Sequence, residues 1–557
     1  MTLSRNAFAQ LTAQLHEGSI TGEGLSALEP YKVTNAVVMA AGLSQRFAPL
    51  SYERPKGLLK VRGEILIERQ IRQLLDAGIS DITVVVGYKK EHFFYLESEF
   101  GVRIVANPEY ATRNNNSSLW VVREHLANTY ICCADNYFLD NPFEPYVFEA
   151  FYSTPYVEGP TDEWCVSTGE DGRIVDISIG GSDSLVMVGP AYFDRRFSTA
   201  FRRLLAEVYD LPETTDKYWE NIYLDNIADM HMVARRFPDG MINEFDSLDD
   251  VRDFDPAFIR NVDSQAFDRI VATLGCSRED IHDLSPIKQG LTNLSCHFAV
   301  GTKEYVYRHP GEGTNKVIDR QAELLAQQLA SRLGLDHTFI HGDPEDGWKI
   351  SRFISNARDL DVASAHELES AMRIDRTLHE SGEIMERRFD FISQGLTYEA
   401  LLNEQGPIDI PGYAELKDKV LRLKDFADDD GYAPVPSHND FYTANFLVTS
   451  QAPPSLIDWE YAGMSDIASD FGALVASAEL TDEQAEQAIQ FYFGRQPSVA
   501  ERRHFWAYAV IAGWCWYLWA LVAQSQGDDV DEWRERYYHR AADYVDSVLS
   551  WYEAPPQ

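Results

Sequence analysis

An aspartate, an asparagine five residues later and a second aspartate eighteen residues after the first are enough to move a phosphoryl group, and Asp440, Asn445 and Asp458 stand in that relation. They lie in Ser437-His438-Asn439-Asp440-Phe441-Tyr442-Thr443-Ala444-Asn445 and Leu456-Ile457-Asp458-Trp459-Glu460. Transfer of a γ-phosphoryl group relies on positioning and charge neutralisation more than on covalent chemistry. Asp440 would accept or orient a hydroxyl proton, and Asn445 and Asp458 would hold Mg²⁺ on the phosphates of ATP. His438 reads as a brace for the loop.

A second phosphate-handling pattern lies far upstream: Gly42-Leu43-Ser44-Gln45-Arg46-Phe47, then Arg54-Pro55-Lys56-Gly57-Leu58-Leu59. Gly42 lets backbone N–H groups approach phosphates, and Arg46 and Lys56 supply cationic clamps. Asp135 follows the apolar run Tyr130-Ile131-Cys132-Cys133-Ala134. A carboxylate at a strand end beside a triphosphate is placed to hold Mg²⁺, with Asp246 as its partner.

The elements that must position these residues differ between the two halves. Residues 1–32 read as a helical preface, with helical spacing over Asn6–His16 and Gly22–Leu28. Apolar runs at 36–40, 82–86, 102–106 and 129–133 read as buried strands, and Leu66–Ala77 as a helix closed by Gly78. Strands alternating with helices give an α/β domain with a doubly wound, mostly parallel sheet, closing near Asp246 and spanning 33–255. Phosphate ligands then belong at the C-terminal strand ends, where Gly42 and Asp135 fall. From 265 to 557 a hairpin (287–300 and 303–308), a helix at 318–333 and short strands to about 353 precede mostly helix. That is an α+β unit with a small β lobe and a large helical lobe.

Composition narrows the class. With 557 residues, a formal charge of −39 and 45% hydrophobic content, the chain reads as a soluble multidomain protein with no nucleic-acid partner. Six cysteines without a Cys-x-x-Cys pair give neither a zinc site nor a disulfide framework, and a cytoplasmic location is expected. The apolar stretch 505–523 carries Gly513 and several Trp and Tyr residues, so it reads as a buried helix and no membrane insertion is expected.

The loop from Gly42 to Lys56 resembles the nucleoside-triphosphate-binding loop of nucleotidyltransferases that make sugar nucleotides and CDP-alcohols. Over 33–252 the chain resembles bacterial CTP:phosphocholine cytidylyltransferases, on Asn114-Asn115 before Ser118-Leu119-Trp120, Asp162-Glu163-Trp164, Lys217-Tyr218-Trp219-Glu220 and Glu244-Phe245-Asp246. The resemblance implies that Ala41, Gly42, Ser44, Arg46, Lys56, Asn115 and Ser118 bind CTP, with Lys56 and Arg46 catalytic. It implies a pocket for a quaternary ammonium from Trp164, Tyr218, Trp219, Glu220 and Glu244, by cation–π contact backed by carboxylates. An Asp-x-Asp pattern is often expected in such enzymes, but Ala134 precedes Asp135-Asn136 here, so metal binding leans on Asp246.

Over 268–551 the chain resembles the choline kinase and aminoglycoside phosphotransferase superfamily. Gln289-Gly290-Leu291-Thr292-Asn293 matches the turn over the nucleotide, implying Gly290, Thr292 and Asn293 as nucleotide-binding. Arg308 takes the place of the phosphate-contacting cation, as in choline kinases, and Glu323 would pair with it. Asp470 in Ser469-Asp470-Phe471-Gly472 resembles a structural acid behind the catalytic loop. Trp516-Tyr517-Leu518-Trp519 puts two indoles on one helical face and resembles a choline-binding box, to which Tyr461 and Tyr537 would contribute. Ser477 stands where eukaryotic choline kinases carry a cage Glu, with Glu479 as a substitute, so ethanolamine or another amino alcohol stays open.

Together the resemblances imply a bifunctional enzyme that phosphorylates choline with ATP and couples phosphocholine to CTP, with Mg²⁺ at both sites. The rivals are a sugar-1-phosphate nucleotidyltransferase fused to a sugar, aminoglycoside or ethanolamine kinase, and a non-catalytic ligand-sensing regulator. The oligomeric state is left open.

Overall fold

The computed structural model describes residues 3–287, 293–311, 318–478 and 480–554. The chain divides into two compact units, Met1–Pro286 and Ile287–Gln557. Helix Gln265–Leu274, where the sequence reading opens its last domain, lies within the first.

The first unit opens with helices Arg5–His16 and Gly22–Leu28, each N-capped by a hydroxyl, Ser4 and Thr21. Its centre is a seven-stranded, mostly parallel sheet. Across the sheet the strands run Val233–Arg235, Phe151–Ser153, Ala191–Phe193, Thr129–Cys133, Asn35–Ala40, Ile82–Val86 and Arg103–Ala106. Ala191–Phe193 runs antiparallel to both of its neighbours. The near-continuous apolar runs follow from burial on both faces: Ala36, Val38 and Val84 enter one core, and Val37 and Val85 the other. Helix Leu66–Asp76 ends before Gly78, whose φ of +79° only a glycine adopts freely. A long antiparallel ribbon, Tyr156–Thr168 with Ile174–Val186, rises from the sheet.

In the second unit, Asn293–Val300, Lys303–Pro310, Lys349–Arg352 and Phe339–Gly342 form consecutive antiparallel neighbours. The turn at Gly301 has φ +62°. Helix Arg320–Leu333 is N-capped by Asp319 and stopped by Gly334. The remainder is mostly helical around one large core. The apolar stretch at 505–523 lies in helix Val499–Ser525, the one helix among the described residues long and apolar enough to cross a membrane. It is 89% buried over its most apolar window. Two short ladders carry the Asp440 region: Val435–Ser437 with Gly463–Ser465, and Phe446–Leu447 with Ser455–Leu456.

Candidate active sites

In the first unit a cleft of about 970 Å³ opens at the C-terminal ends of the parallel strands. It is lined by Ala41, Gly42, Ser44, Arg46, Lys56, Asn115, Ser118, Asp135, Trp164, Tyr218, Glu220, Glu244 and Asp246. Strand Asn35–Ala40 delivers the glycine loop and its parallel neighbour Thr129–Cys133 delivers Asp135. The Lys56 turn packs against that strand end so closely that a Cβ at Gly57 would lie 2.9 Å from Ala134 Cβ.

Two ion pairs cross the cleft: Lys56 Nζ to Asp135 Oδ2 at 2.9 Å, and Arg46 to Asp246 Oδ1 at 2.8 Å. Asp135 Oδ1 is buried without a hydrogen-bond partner. An orphaned carboxylate oxygen, with the Glu244 carboxylate close enough to interact with Asp135, offers oxygen donors of the kind that suits Mg²⁺. Lys56 and Arg46, salt-bridged to those acids, carry positive charge where nucleotide phosphates would lie.

Two further carboxylates of the cleft accept hydrogen bonds from neutral donors. Asn115 Nδ2 donates to Glu220 Oε2 at 3.2 Å and Tyr152 Oη donates to Oε1 at 3.2 Å. No salt bridge to Glu220 is found among the described residues. Burial pushes its pKa up to about 7. Glu244 meets solvent within the cleft but is walled by protein. That desolvation, with the Asp135 carboxylate next, raises it to about 8, and Asn136 Nδ2 donates to its Oε2 at 3.1 Å. Trp164 and Tyr218 meet edge to face, ring centroids 6.0 Å apart.

Trp219 corrects the sequence reading. It is fully buried, with its ring against Phe193, Phe201 and Tyr152, and is not part of the cleft lining. The helix Trp219–Leu224 can turn only one face to the cleft, and Glu220 takes it. Trp219 contributes through its backbone N–H, which donates to Asn115 Oδ1 at 2.7 Å. Tyr152 and Glu163 also line the cleft, and the sequence reading assigned neither to the site. Glu163 lies within the quoted Asp162-Glu163-Trp164. Nothing local marks Tyr152.

In the second unit the Asp440 loop is held from behind. Asp470 accepts the backbone N–H of His438 at 2.8 Å and of Asn439 at 2.5 Å. His438 Nε2 donates to the Ile457 carbonyl at 2.9 Å, bracing the residue before Asp458. Asn439 and Asp458 have φ of +67° and +66°, conformations non-glycine residues rarely adopt and that mark functional turns. Asn445 Nδ2 donates to the Asp440 carbonyl at 2.8 Å and to Asp440 Oδ2 at 3.0 Å. Burial, then the Asp458 carboxylate, pushes the Asp440 pKa up to about 8.

Arg308 is the hub of the neighbouring charge cluster. It pairs with Asp458 at 2.9 Å, with Glu323 at 2.8 Å and with Glu460. Glu323 also accepts from Lys349 and from Arg320. Burial opposes its charge, but Arg308 and Lys349 hold its pKa down to about 2. Asn293 Nδ2 donates to Glu460. Carboxylate oxygens of Glu323, Asp458 and Glu460 lie within 4.8 Å of one another. Three such carboxylates are again oxygen donors of the kind that suits Mg²⁺. Arg320, Lys349 and Glu460 were not singled out from sequence. Lys349 sits between Trp348 and Ile350 as the cross-strand partner of Arg308, and a lysine flanked by apolar residues in a strand was the available signal.

The aromatic residues gather beside Asp440. Trp516 meets Trp519 edge to face at 6.3 Å and Tyr461 at 5.4 Å. Tyr461 Oη is 3.2 Å from Tyr398 Oη. Tyr461 and Tyr537 are raised first by burial, and the Asp440 carboxylate adds to both. Ser477 is buried with its hydroxyl returned to the Ala473 carbonyl at 2.7 Å. Gly290, Thr292 and Glu479 lie outside the described residues.

The model of the MobA-like NTP transferase domain matches residues 36–209, and that of the phosphotransferase enzyme family matches 283–506. Over 217 residues the chain is 36% identical to a choline-phosphate cytidylyltransferase of Streptococcus pneumoniae, covering 39% of this chain and 95% of that protein. Over 230 residues it is 35% identical to a 2-aminoethylphosphonate cytidylyltransferase of Lancefieldella rimae, covering 41% and 94%. A crystal structure of a choline kinase from Streptococcus pneumoniae is 28% identical, with a TM-score of 0.44, covering 50% of this chain and 97% of that one.

Proposed function

Because the chain belongs, through its N-terminal unit, to the cytidylyltransferases among the MobA-like NTP transferases and continues into a phosphotransferase-family domain, we propose that it is a bifunctional enzyme making CDP-choline from choline, ATP and CTP. The hydroxyl oxygen of choline attacks the γ-phosphorus of ATP, the β–γ bridging bond breaks, ADP leaves and Asp440 takes the proton. A phosphate oxygen of phosphocholine then attacks the α-phosphorus of CTP in line, and pyrophosphate leaves.

The observation that carries this reading is Glu220: a buried carboxylate whose partners are the neutral Asn115 and Tyr152, in a cleft with Trp164 and Tyr218. A buried carboxylate without a counter-ion is costly, and a cationic ligand over aromatic rings removes that cost. A sugar phosphate would bring no positive charge. Phosphocholine brings one that donates no hydrogen bond, which suits a carboxylate already taken up by two donors.

In the N-terminal unit Lys56 and Arg46 would neutralise the triphosphate, and Asp135 with Asp246 would hold Mg²⁺. In the C-terminal unit Asn445 and Asp458 would hold Mg²⁺, Arg308 would contact the ATP phosphates, and Trp516, Trp519, Tyr461 and Tyr537 would cage the ammonium. When bound, Mg²⁺ neutralises charge developing on the phosphate oxygens. The proposed domains are 33–255 for cytidylyl transfer and 265–557 for the kinase. They act in the cytoplasm on small molecules.

Similarity to the 2-aminoethylphosphonate enzyme favours a second reading of the N-terminal site, a primary ammonium on a phosphonate. A phosphonate needs no hydroxyl phosphorylation, so the kinase unit would then serve no step. The test is to incubate the protein with CTP, Mg²⁺ and either phosphocholine or 2-aminoethylphosphonate, and separately with ATP, Mg²⁺ and choline or ethanolamine, following products by mass spectrometry. CDP-choline in the first pair and phosphocholine in the second are expected. Turnover of the phosphonate alone, or of no choline compound, overturns the reading.

A further inference from the structure

We propose that His504 is a positioning residue of the kinase site: as an imidazolium, it ties the helix carrying Trp516 and Trp519 to the strand ladder carrying Asp440. This rests on the functional reading above only for the names of the substrates.

His504 is fully buried near the start of helix Val499–Ser525. Its Nδ1 lies 3.0 Å from Asp430 Oδ2 and its Nε2 lies 2.7 Å from Asp466 Oδ1. Neutral imidazole has one donor and one acceptor nitrogen. With a carboxylate on each nitrogen, both must donate, so the ring is charged.

The two carboxylates mark one end of a ladder. Val435 pairs with Ser465 and Ser437 with Gly463. Asp466 directly follows the second strand, and Asp430 precedes the first by one short turn. At the far end of the same ladder Ser437 runs into His438-Asn439-Asp440, and Gly463 runs back to Tyr461. Asp466 Oδ1 also accepts the Ala468 N–H at 2.9 Å, at the start of the helix that carries Asp470. From His504 to Trp516 is twelve residues of one helix, about 18 Å at the usual rise. One imidazolium therefore fixes where the indoles stand relative to the loop that must receive the substrate hydroxyl.

The other groups at the clamp are consistent with a charged ring. Arg503 donates to Asp430 Oδ1 at 2.6 Å and Tyr552 Oη to Asp430 Oδ2 at 2.7 Å. The Tyr432 and Tyr508 rings pack against the imidazole, at 4.4 and 5.4 Å. Burial works against the charge, but the hydrogen bonds that His504 donates to Asp430 and Asp466 outweigh it and raise the His504 pKa.

The test uses the full chain, whose cytidylyltransferase step serves as an internal control. His504→Gln puts an amide oxygen against one carboxylate. Expected is a rise in choline KM and a fall in kcat, together on the order of tenfold in kcat/KM, with ATP KM and CDP-choline formation from added phosphocholine unchanged. In His504→Gln/Asp466→Asn the new amide can donate to the Gln oxygen, and activity should recover. Thermal unfolding of the C-terminal unit is read alongside. A raised histidine pKa gives stability that is full below about 6.5 and lost as pH rises through the folded-state value, so the wild-type midpoint should fall with pH and that of His504→Gln should stay flatter. Equal loss of ATP and choline parameters, no recovery in the double variant, or a wild-type midpoint that tracks the variant at every pH overturns the proposal. If wild type lacks choline kinase activity, the functional reading fails, while the pH dependence of the melts still decides the clamp.

Discussion

On the proposed reading the two candidate sites face the same problem, a phosphate anion and an ammonium cation in one pocket, and they would meet it with opposite charge designs. In the N-terminal cleft the cations are few and separated: Lys56 and Arg46 each take one carboxylate, and Glu220 is left with neutral donors. In the C-terminal unit Arg308, Arg320 and Lys349 crowd around Glu323, Asp458 and Glu460, and the aromatic box stands beside Asp440. The first site leaves the Glu220 carboxyl without a cationic partner among the described residues, which in the proposed function is left for the ligand. The second pairs its charges internally, so in the proposed function recognition of a cation would fall to rings. A cation–π contact is worth up to about 2 kcal/mol when desolvated, which a ring can supply without the cost of burying another ion.

The comparison is broken most sharply by separating the two chemistries. Asp440→Asn should lower phosphocholine formation by about 10²–10⁴-fold, the usual worth of a general base, while CDP-choline formation from supplied phosphocholine holds. Lys56→Ala should slow cytidylyl transfer by roughly 10²–10³-fold, as for removal of a transition-state donor, and phosphocholine should accumulate in a coupled assay. Loss of both steps in either variant would mean the sites are not independent. Trp516→Ala should raise choline KM by about tenfold or more, from the cation–π term, with ATP KM unchanged. An equal rise in both would return Trp516 to the core.

The smallest effect tests the unpaired charge. With the Glu220 pKa at about 7, the free enzyme holds a mixture of neutral and ionised carboxyl at neutral pH, and only the ionised form attracts an ammonium. Phosphocholine KM should therefore fall as pH rises through about 7 and level off above it. Glu220→Gln should raise KM several-fold and remove that dependence. The sign for stability is opposite: a carboxyl whose folded pKa is raised weakens the fold as pH climbs from its unfolded value towards 7. A Glu220→Gln variant whose melting midpoint fell more steeply with pH than wild type would contradict this.

The chain by itself determined what is local. The seven-stranded sheet lies on runs such as Ala36–Ala40 and Ile82–Val86 because burial on both faces leaves a continuous apolar signature, and helix Leu66–Asp76 ends where Gly78 permits a left-handed turn. The Asp440–Asn445–Asp458 spacing and the Gly42–Lys56 loop were legible for the same reason: each is a few adjacent residues whose backbone shape and chemistry are set together. Tertiary structure decided what depends on distant partners. Composition cannot say that Trp219 packs inward while Glu220 turns to the cleft, because one helix offers both faces and the core chooses. Nor can it join Tyr152 to Glu220, Lys349 to Glu323, or His504 to Asp430 and Asp466. Those contacts bridge separate elements, and a side chain's charge state follows from the partners and burial it meets there, which spacing along the chain does not encode.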